Sequence, residues 1–184
     1  MSRVLSPLSP GLLIETAAAA IGLAPSQARF SLRARGDLTP LNSALGLTLP
    51  DRIGRRSAEG ALEALRLGPD EWMLLARPQD AGNLTAACAG VYADLPHSLV
   101  DISAREMTFI IEGEHAAELL TIGCPRDIAT IPAGEARRTV FDGATVVLWR
   151  DAPTRFRMDC WNSFAPHLLQ LLETGAREIA AEIG

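Results

Sequence analysis

The strongest constraint on the fold is a dipeptide, Asp142-Gly143, set between two apolar-rich runs at residues 138–141 and 145–150. Asp-Gly readily takes the positive backbone angles of a two-residue hairpin, so the flanking runs are predicted to pair antiparallel. A further run, residues 154–160, alternates strictly: Phe156, Met158 and Cys160 against Arg155, Arg157 and Asp159. That is the period of a strand with one face in a core. Residues 62–67 and 71–76 are apolar runs split by Gly68-Pro69-Asp70, a turn, and predict a second hairpin. Residues 29–35 alternate Phe30, Leu32 and Ala34 with four polar residues, and residues 99–103 and 107–112 read as two more strands.

Between these lie helical signals. Leu84, Ala87, Cys88 and Val91 are spaced as one face of a helix over residues 79–91, which puts Cys88 in the core. Residues 114–122 predict a short helix closed by Gly123 and Pro125. The last helix is best defined, with Trp161, Phe164, Ala165, Leu168, Leu169 and Leu172 on one stripe and Ser163, His167, Gln170 and Thr174 opposite. Asn162 or Ser163 can cap it, and Pro166 is harmless in its first turn. Hairpins interspersed with single helices give an α+β fold of mostly antiparallel sheet with helices on one face, in ferredoxin-like halves. Residues 1–27, rich in Ser, Pro and Ala, are expected to form an N-terminal arm, and residues 28–184 a single α+β domain. Within the arm, the apolar tract 11–23 reads as a docking or core helix. Residues 36–60, with two prolines and no sustained period, read as a long connecting loop.

Charge narrows the function classes. The 17 basic residues are all Arg, against 22 acidic ones, a net charge of −5. With no lysine the chain cannot form a Schiff base or a Walker-type phosphate contact. An acidic chain with scattered arginines lacks the clustered cationic face of a nucleic-acid binder. No apolar stretch approaches the roughly 20 residues that span a bilayer, and no signal peptide opens the chain, so no membrane partner and a cytoplasmic location are expected. Cys88, Cys124 and Cys160 are too far apart for a CxxC pair, which also fits a reducing compartment.

The candidates for chemistry are few. His97, His115 and His167 share no metal-ligand spacing. Cys124 follows a helix, but only Arg126 beside it would lower its pKa, and a half-buried structural thiol is the stronger reading. The carboxylate pairs Asp70/Glu71 and Glu112/Glu114 sit at a turn and a strand end, where the burial that raises a carboxyl pKa is uncommon. No GxGxxG or GxxxxGK[ST] motif is present. Trp72, Trp149 and Trp161 are expected as core or interface anchors. The expected site inventory is therefore empty: no catalytic, cofactor-binding or metal-ligating residue.

Four blocks, LGPDEWMLL (67–75), VDIS (100–103), IGCPRDI (122–128) and WNSFA (161–165), resemble in order the gamma subunit of heterotetrameric sarcosine oxidase, over roughly residues 29–173. More distantly, residues 100–150 are similar to the folate-binding domain of glycine-cleavage aminomethyltransferases, with Asp101-Ile-Ser103 and IEGEH (111–115) at the matching places. The resemblance implies a noncatalytic subunit with alpha, beta and delta partners, alpha being the expected direct contact. It places NAD and tetrahydrofolate in alpha, FAD and FMN in beta and zinc in delta, with none in this chain. The whole assembly would oxidise sarcosine to glycine, releasing hydrogen peroxide and forming 5,10-methylenetetrahydrofolate. Asn162 and the run Ala104-Arg-Glu-Met107 depart from the family pattern, which leaves open a related assembly such as N-methylglutamate dehydrogenase. A stand-alone folate-dependent aminomethyltransferase-like protein is the remaining alternative, although no paired Asp follows the 142–143 hairpin to bind a folate ring edge.

Overall fold

In the computed structural model, which describes residues 8–184, Asp142 and Gly143 have φ of 45° and 79°, and the turn closes with Phe141 opposite Ala144. The first strands along the chain are β1 (Gly11–Glu15), β2 (Ala20–Leu23) and β3 (Ala28–Ala34). Helix α1 (Thr39–Leu45) and strands β4 (Arg56–Glu59), β5 (Leu62–Gly68) and β6 (Glu71–Ala76) follow. Next come α2 (Ala81–Gly90), β7 (His97–Asp101), β8 (Glu106–Glu112) and α3 (Ala116–Thr121). The chain ends with β9 (Glu135–Phe141), β10 (Ala144–Ala152), β11 (Arg155–Trp161) and α4 (Ala165–Ile183). All strand pairs are antiparallel, in a six-stranded sheet ordered β1-β2-β8-β11-β10-β9 and a five-stranded sheet ordered β4-β5-β6-β3-β7.

Strand alternation sorts the side chains into three apolar clusters. Phe109, Ile111, Leu148, Phe156 and Met158 of the six-stranded sheet pack against Leu119 and Leu120 of α3 and Leu168 and Leu172 of α4. Phe30, Leu32, Trp72 and Leu74 of the other sheet pack against Leu41 of α1 and Leu84 and Cys88 of α2. The opposite faces meet in a third cluster of Leu65, Met73, Leu75, Ala136, Val147 and Trp149. The result is four layers, helix, sheet, sheet, helix, so each sheet carries helices on one face and meets the other sheet with its second face.

Four local expectations are corrected. The tract 11–23 is not a helix but the hairpin β1–β2, with Ile21 and Leu23 buried and Ala20–Leu23 paired to β8. The edge of β8 satisfies its backbone, and the Thr16 hydroxyl accepts from the amides of Ala18 and Ala19 to hold the turn. The expected arm thus contributes strands to the six-stranded sheet, and its residues 1–7 lie outside those described. The presumed loop 36–60 contains α1 and β4; α1 buries only Leu41, too little to show a period, and ends on Gly46 with φ of 64°. In α4 the stripe runs through Ala165, Leu168, Leu172, Ala176 and Ile179, but Phe164 and Trp161 are 41% and 44% exposed. Trp161 is the last residue of β11, so strand parity and not helical spacing sets its direction. Neither Asn162 nor Ser163 caps the helix; the Asn162 side-chain amide donates to Ala104 O at 2.7 Å.

Candidate functional site

The seam between the sheets is more polar than a core. Cross-strand register puts Thr108, Asp159, Val147 and Arg138 in one row on the inner face of the six-stranded sheet, and Glu106 beside Trp161 in the next. On the facing sheet, Arg33 is opposite Glu71, Ser31 opposite Met73 and Arg29 opposite Leu75. Strand alternation thus aims a set of arginines and carboxylates from both sheets at each other, and they form three ionic pins.

Arg29 of β3 makes the most buried pin. Its Nη2 donates to Asp159 Oδ1 at 2.9 Å and to Thr108 Oγ1 at 2.8 Å, and Nη1 lies 3.5 Å from Glu106 Oε2. Thr108 Oγ1 and Trp149 Nε1 also donate to Asp159, both at 2.6 Å. Arg29 and Asp159 side chains are 3% and 1% exposed. Two buried atoms here, Arg29 Nε and Glu106 Oε2, have no hydrogen-bond partner. The second pin crosses from β9 to β6: Arg138 donates to both Glu71 oxygens, at 2.5 and 3.0 Å, and Arg33 adds a bond of 3.2 Å. The third joins Arg157 and Arg56 to Glu63 and Asp151, with Arg157 placed 4.4 Å over the Trp149 ring. The second and third use the planar fork of Arg to match two carboxylate oxygens at once, and the first divides it among Asp159, Thr108 and the charge of Glu106.

At one end the seam opens into a cleft of about 390 Å³ walled by Arg33 and Glu71 on one side and Glu106, Asp159, Thr145 and Trp161 on the other. Along the seam the electrostatics favour holding charge over moving protons. The Arg138 hydrogen bond holds the Glu71 carboxyl below its ordinary range. Burial pushes the Asp151 carboxyl up, but hydrogen bonds from Arg157 and Arg56 outweigh it and leave it lowered. Both displacements run opposite to what a general acid needs.

The structure does not bring the sequence candidates together. His97 Nδ1 lies 2.7 Å from Leu95 O, His115 Nδ1 2.8 Å from Glu118 Oε2, and His167 Nε2 2.6 Å from Asp142 Oδ2, at three separate places. Cys88, Cys124 and Cys160 are buried free thiols, and burial first, then the charges of Asp159 and Glu106, pushes Cys160 up to about 12. Asp70 is held low by Arg35, and Glu112 faces Arg155 at 2.8 Å. Trp72 and Trp149 are core anchors, whereas Trp161 is exposed beside Phe164. Among the described residues no cluster of three or more His, Cys, Asp or Glu could hold a metal ion. Sequence reading overlooked Arg29, Glu106 and Asp159, because alternation marks them as a polar face and does not show that a second sheet covers it.

No family model matches the chain. It is 30% identical over 144 residues to sarcosine oxidase subunit gamma of Corynebacterium sp. (strain U-96), covering 77% of this chain and 69% of that one. A chain of the heterotetrameric sarcosine oxidase from Corynebacterium sp. U-96, solved in complex with pyrrole 2-carboxylate, superposes with a TM-score of 0.79 at 25% identity. That match covers 92% of this chain and 89% of the other. The glycine cleavage system aminomethyltransferase T from Bartonella henselae shares the fold, with a TM-score of 0.60 at 15% identity over 85% of this chain and 46% of its own. The four sequence blocks, the paired antiparallel sheets and this likeness along most of both chains lead to one assignment: the chain belongs to the family of sarcosine oxidase gamma subunits.

Proposed function

We propose that this chain is a noncatalytic gamma subunit of a heterotetrameric sarcosine oxidase, and that it works by the surface it offers to larger partners. The observation that carries this reading is the likeness to a chain of the Corynebacterium complex over nine-tenths of this chain's length. The interior supports it: the carboxylates of the seam are engaged by arginines that pin one sheet to the other, an arrangement that stiffens a scaffold. On this reading alpha, beta and delta subunits are the partners, with alpha in direct contact. They would hold the NAD, FAD, FMN, tetrahydrofolate and zinc, and the assembly would convert sarcosine to glycine with hydrogen peroxide and 5,10-methylenetetrahydrofolate as further products. A cytoplasmic location is part of the same reading; no helix among the described residues is long and apolar enough to cross a membrane.

Co-expression with the neighbouring large subunits tests the reading. Co-elution of the chain with an alpha-like subunit is expected, and its failure to co-elute counts against the assignment. The stand-alone folate-dependent transferase remains distinguishable by calorimetry: micromolar tetrahydrofolate binding to the isolated chain, with no partner present, would favour it instead.

A further inference from the structure

The open end of the seam carries a shelf of exposed aromatic and apolar side chains edged by arginines. One register step past the Val146–Cys160 pair, Trp161 stands beside Thr145, and Thr145 is paired with Val140. All three lie on the inner face of the six-stranded sheet, Thr145 and Trp161 lining the cleft and Val140 beside them, and Trp161 and Val140 are 44% and 38% exposed. Phe164 extends the shelf, its ring 6.3 Å from that of Trp161, and the Arg105 guanidinium stacks 5.4 Å from the Trp161 ring.

The ion pairs around this shelf are lopsided. Arg33, Arg105 and Arg138 are 54%, 48% and 42% exposed, whereas their partners Asp70, Glu71 and Glu106 are 19%, 14% and 7% exposed. Each pair turns its carboxylate inward and its cation outward. A chain with a net charge of −5 thus presents at this mouth an arginine rim around an aromatic shelf. Exposed Trp and Arg side by side are the residue types in which binding energy concentrates. A rim of exposed guanidinium groups favours a partner of the opposite sign.

We infer that the shelf formed by Trp161, Phe164, Thr145 and Val140, with its rim of Arg33, Arg105 and Arg138, is where this subunit docks an acidic segment of its large partner subunit, an apolar side chain of that segment seated against Trp161. The inference rests on the gamma-subunit reading and adds the face and the chemistry of the partner.

The test titrates the full chain onto the assembly of the other subunits purified without it, at low and at moderate salt. Thr145 is exposed in the middle of the shelf, so Thr145→Glu and Thr145→Arg add opposite charges at one point without touching the core. The Thr145→Glu and Trp161→Ala variants are expected to bind at least about tenfold more weakly, since buried aromatic and charged contacts dominate such interfaces. Thr145→Arg should stay within about threefold of the unaltered chain, whose own affinity should fall as salt is raised. Unchanged binding by both Thr145→Glu and Trp161→Ala, with the unaltered chain bound, would refute the shelf and leave the subunit reading standing. Equal weakening by the two Thr145 variants would refute the acidic partner. Self-association of the isolated chain that Trp161→Ala abolishes would make the occupant a second copy and overturn the proposal. If the unaltered chain itself does not bind, the subunit reading falls and takes the shelf with it.

Discussion

Replacing Arg29 with Met removes the cation that joins the two sheets at their most buried point. Met keeps most of the length and all of the apolar stem, so the loss is electrostatic and hydrogen-bonding in origin. Asp159, 1% exposed, would lose a 2.9 Å charged bond and keep only the neutral donors of Thr108 and Trp149, while Glu106 would lose a cation at 3.5 Å. Leaving a buried carboxylate without its cation costs about 3–5 kcal/mol. For a chain of this size that lowers the melting temperature by roughly 6–20 °C. Asp159→Asn is expected to be milder, about 1–3 kcal/mol. Its amide oxygen can still accept from Arg29, and Arg29 retains Glu106, but the amide nitrogen would turn a donor toward Trp149 Nε1. The double variant Arg29→Met/Asp159→Asn should be less unstable than the sum of the two, because the uncompensated charge is gone. Denaturant titration of the full chain followed by tryptophan fluorescence measures all three. An Arg29→Met variant within about 1 kcal/mol of the unaltered chain, or strict additivity of the pair, would refute a buried ionic pin.

Four further outcomes can be checked on the same material. Leu168→Ala should cost about 2–5 kcal/mol by denaturant titration, since the side chain is fully buried against the six-stranded sheet, whereas Phe164→Ala at 41% exposure should cost under about 1 kcal/mol. In acid, the lowered carboxyls of Glu71 and Asp151 contribute stability that is complete above their unfolded values of 4.5 and 3.8 and is lost as pH falls through the lower folded values. Thermal melts should therefore hold level from neutral pH to about 5 and drop below about 4, with a shallower drop in Glu71→Gln. Cys160, pushed up to about 12, and Cys88, also raised by burial, should resist iodoacetamide at pH 8 in the folded chain and react on unfolding; ready labelling of the folded protein would contradict the packing. Gly113→Ala should destabilise by more than about 1 kcal/mol, because its φ of 140° excludes side chains and a Cβ there would sit 2.8 Å from Ala18 O.

Local turn chemistry and strand period made much of this fold legible. Asp142-Gly143 and Gly68-Pro69-Asp70 mark real hairpins, and the Phe156, Met158, Cys160 face is buried as its period demands. What the period could not tell was the fate of the other face. Arg157 and Asp159 alternate with the core residues as a solvated edge would, yet the Asp159 side chain is almost fully buried. Alternation distinguishes apolar from polar, and it equates polar with wet only when a sheet has one covered side. The error over residues 11–23 has a related cause. Ala and Leu favour helices locally, but β8 offered an unpaired edge, and satisfying its backbone outweighed propensity.

The same geometry explains why the cations of the seam are arginines. A seam only one side chain deep must neutralise carboxylates from two sheets at fixed separation, and each pin here asks one cation to reach more than one acceptor. Arg157 places Nε and Nη2 on Asp151 while Nη1 and Nη2 serve Glu63, four bonds of 2.8–3.1 Å from a single plane that also stacks on Trp149. A lysine ammonium is a point charge with no plane to stack and no fork to divide between two strands, so it could satisfy one of these carboxylates only by abandoning the other. Where the seam ends, Arg138 keeps its Glu71 acceptors on the inner side and turns its outer edge to solvent. One cation of the rim proposed to meet a partner subunit is thus also the exposed half of a pin that holds the two sheets together.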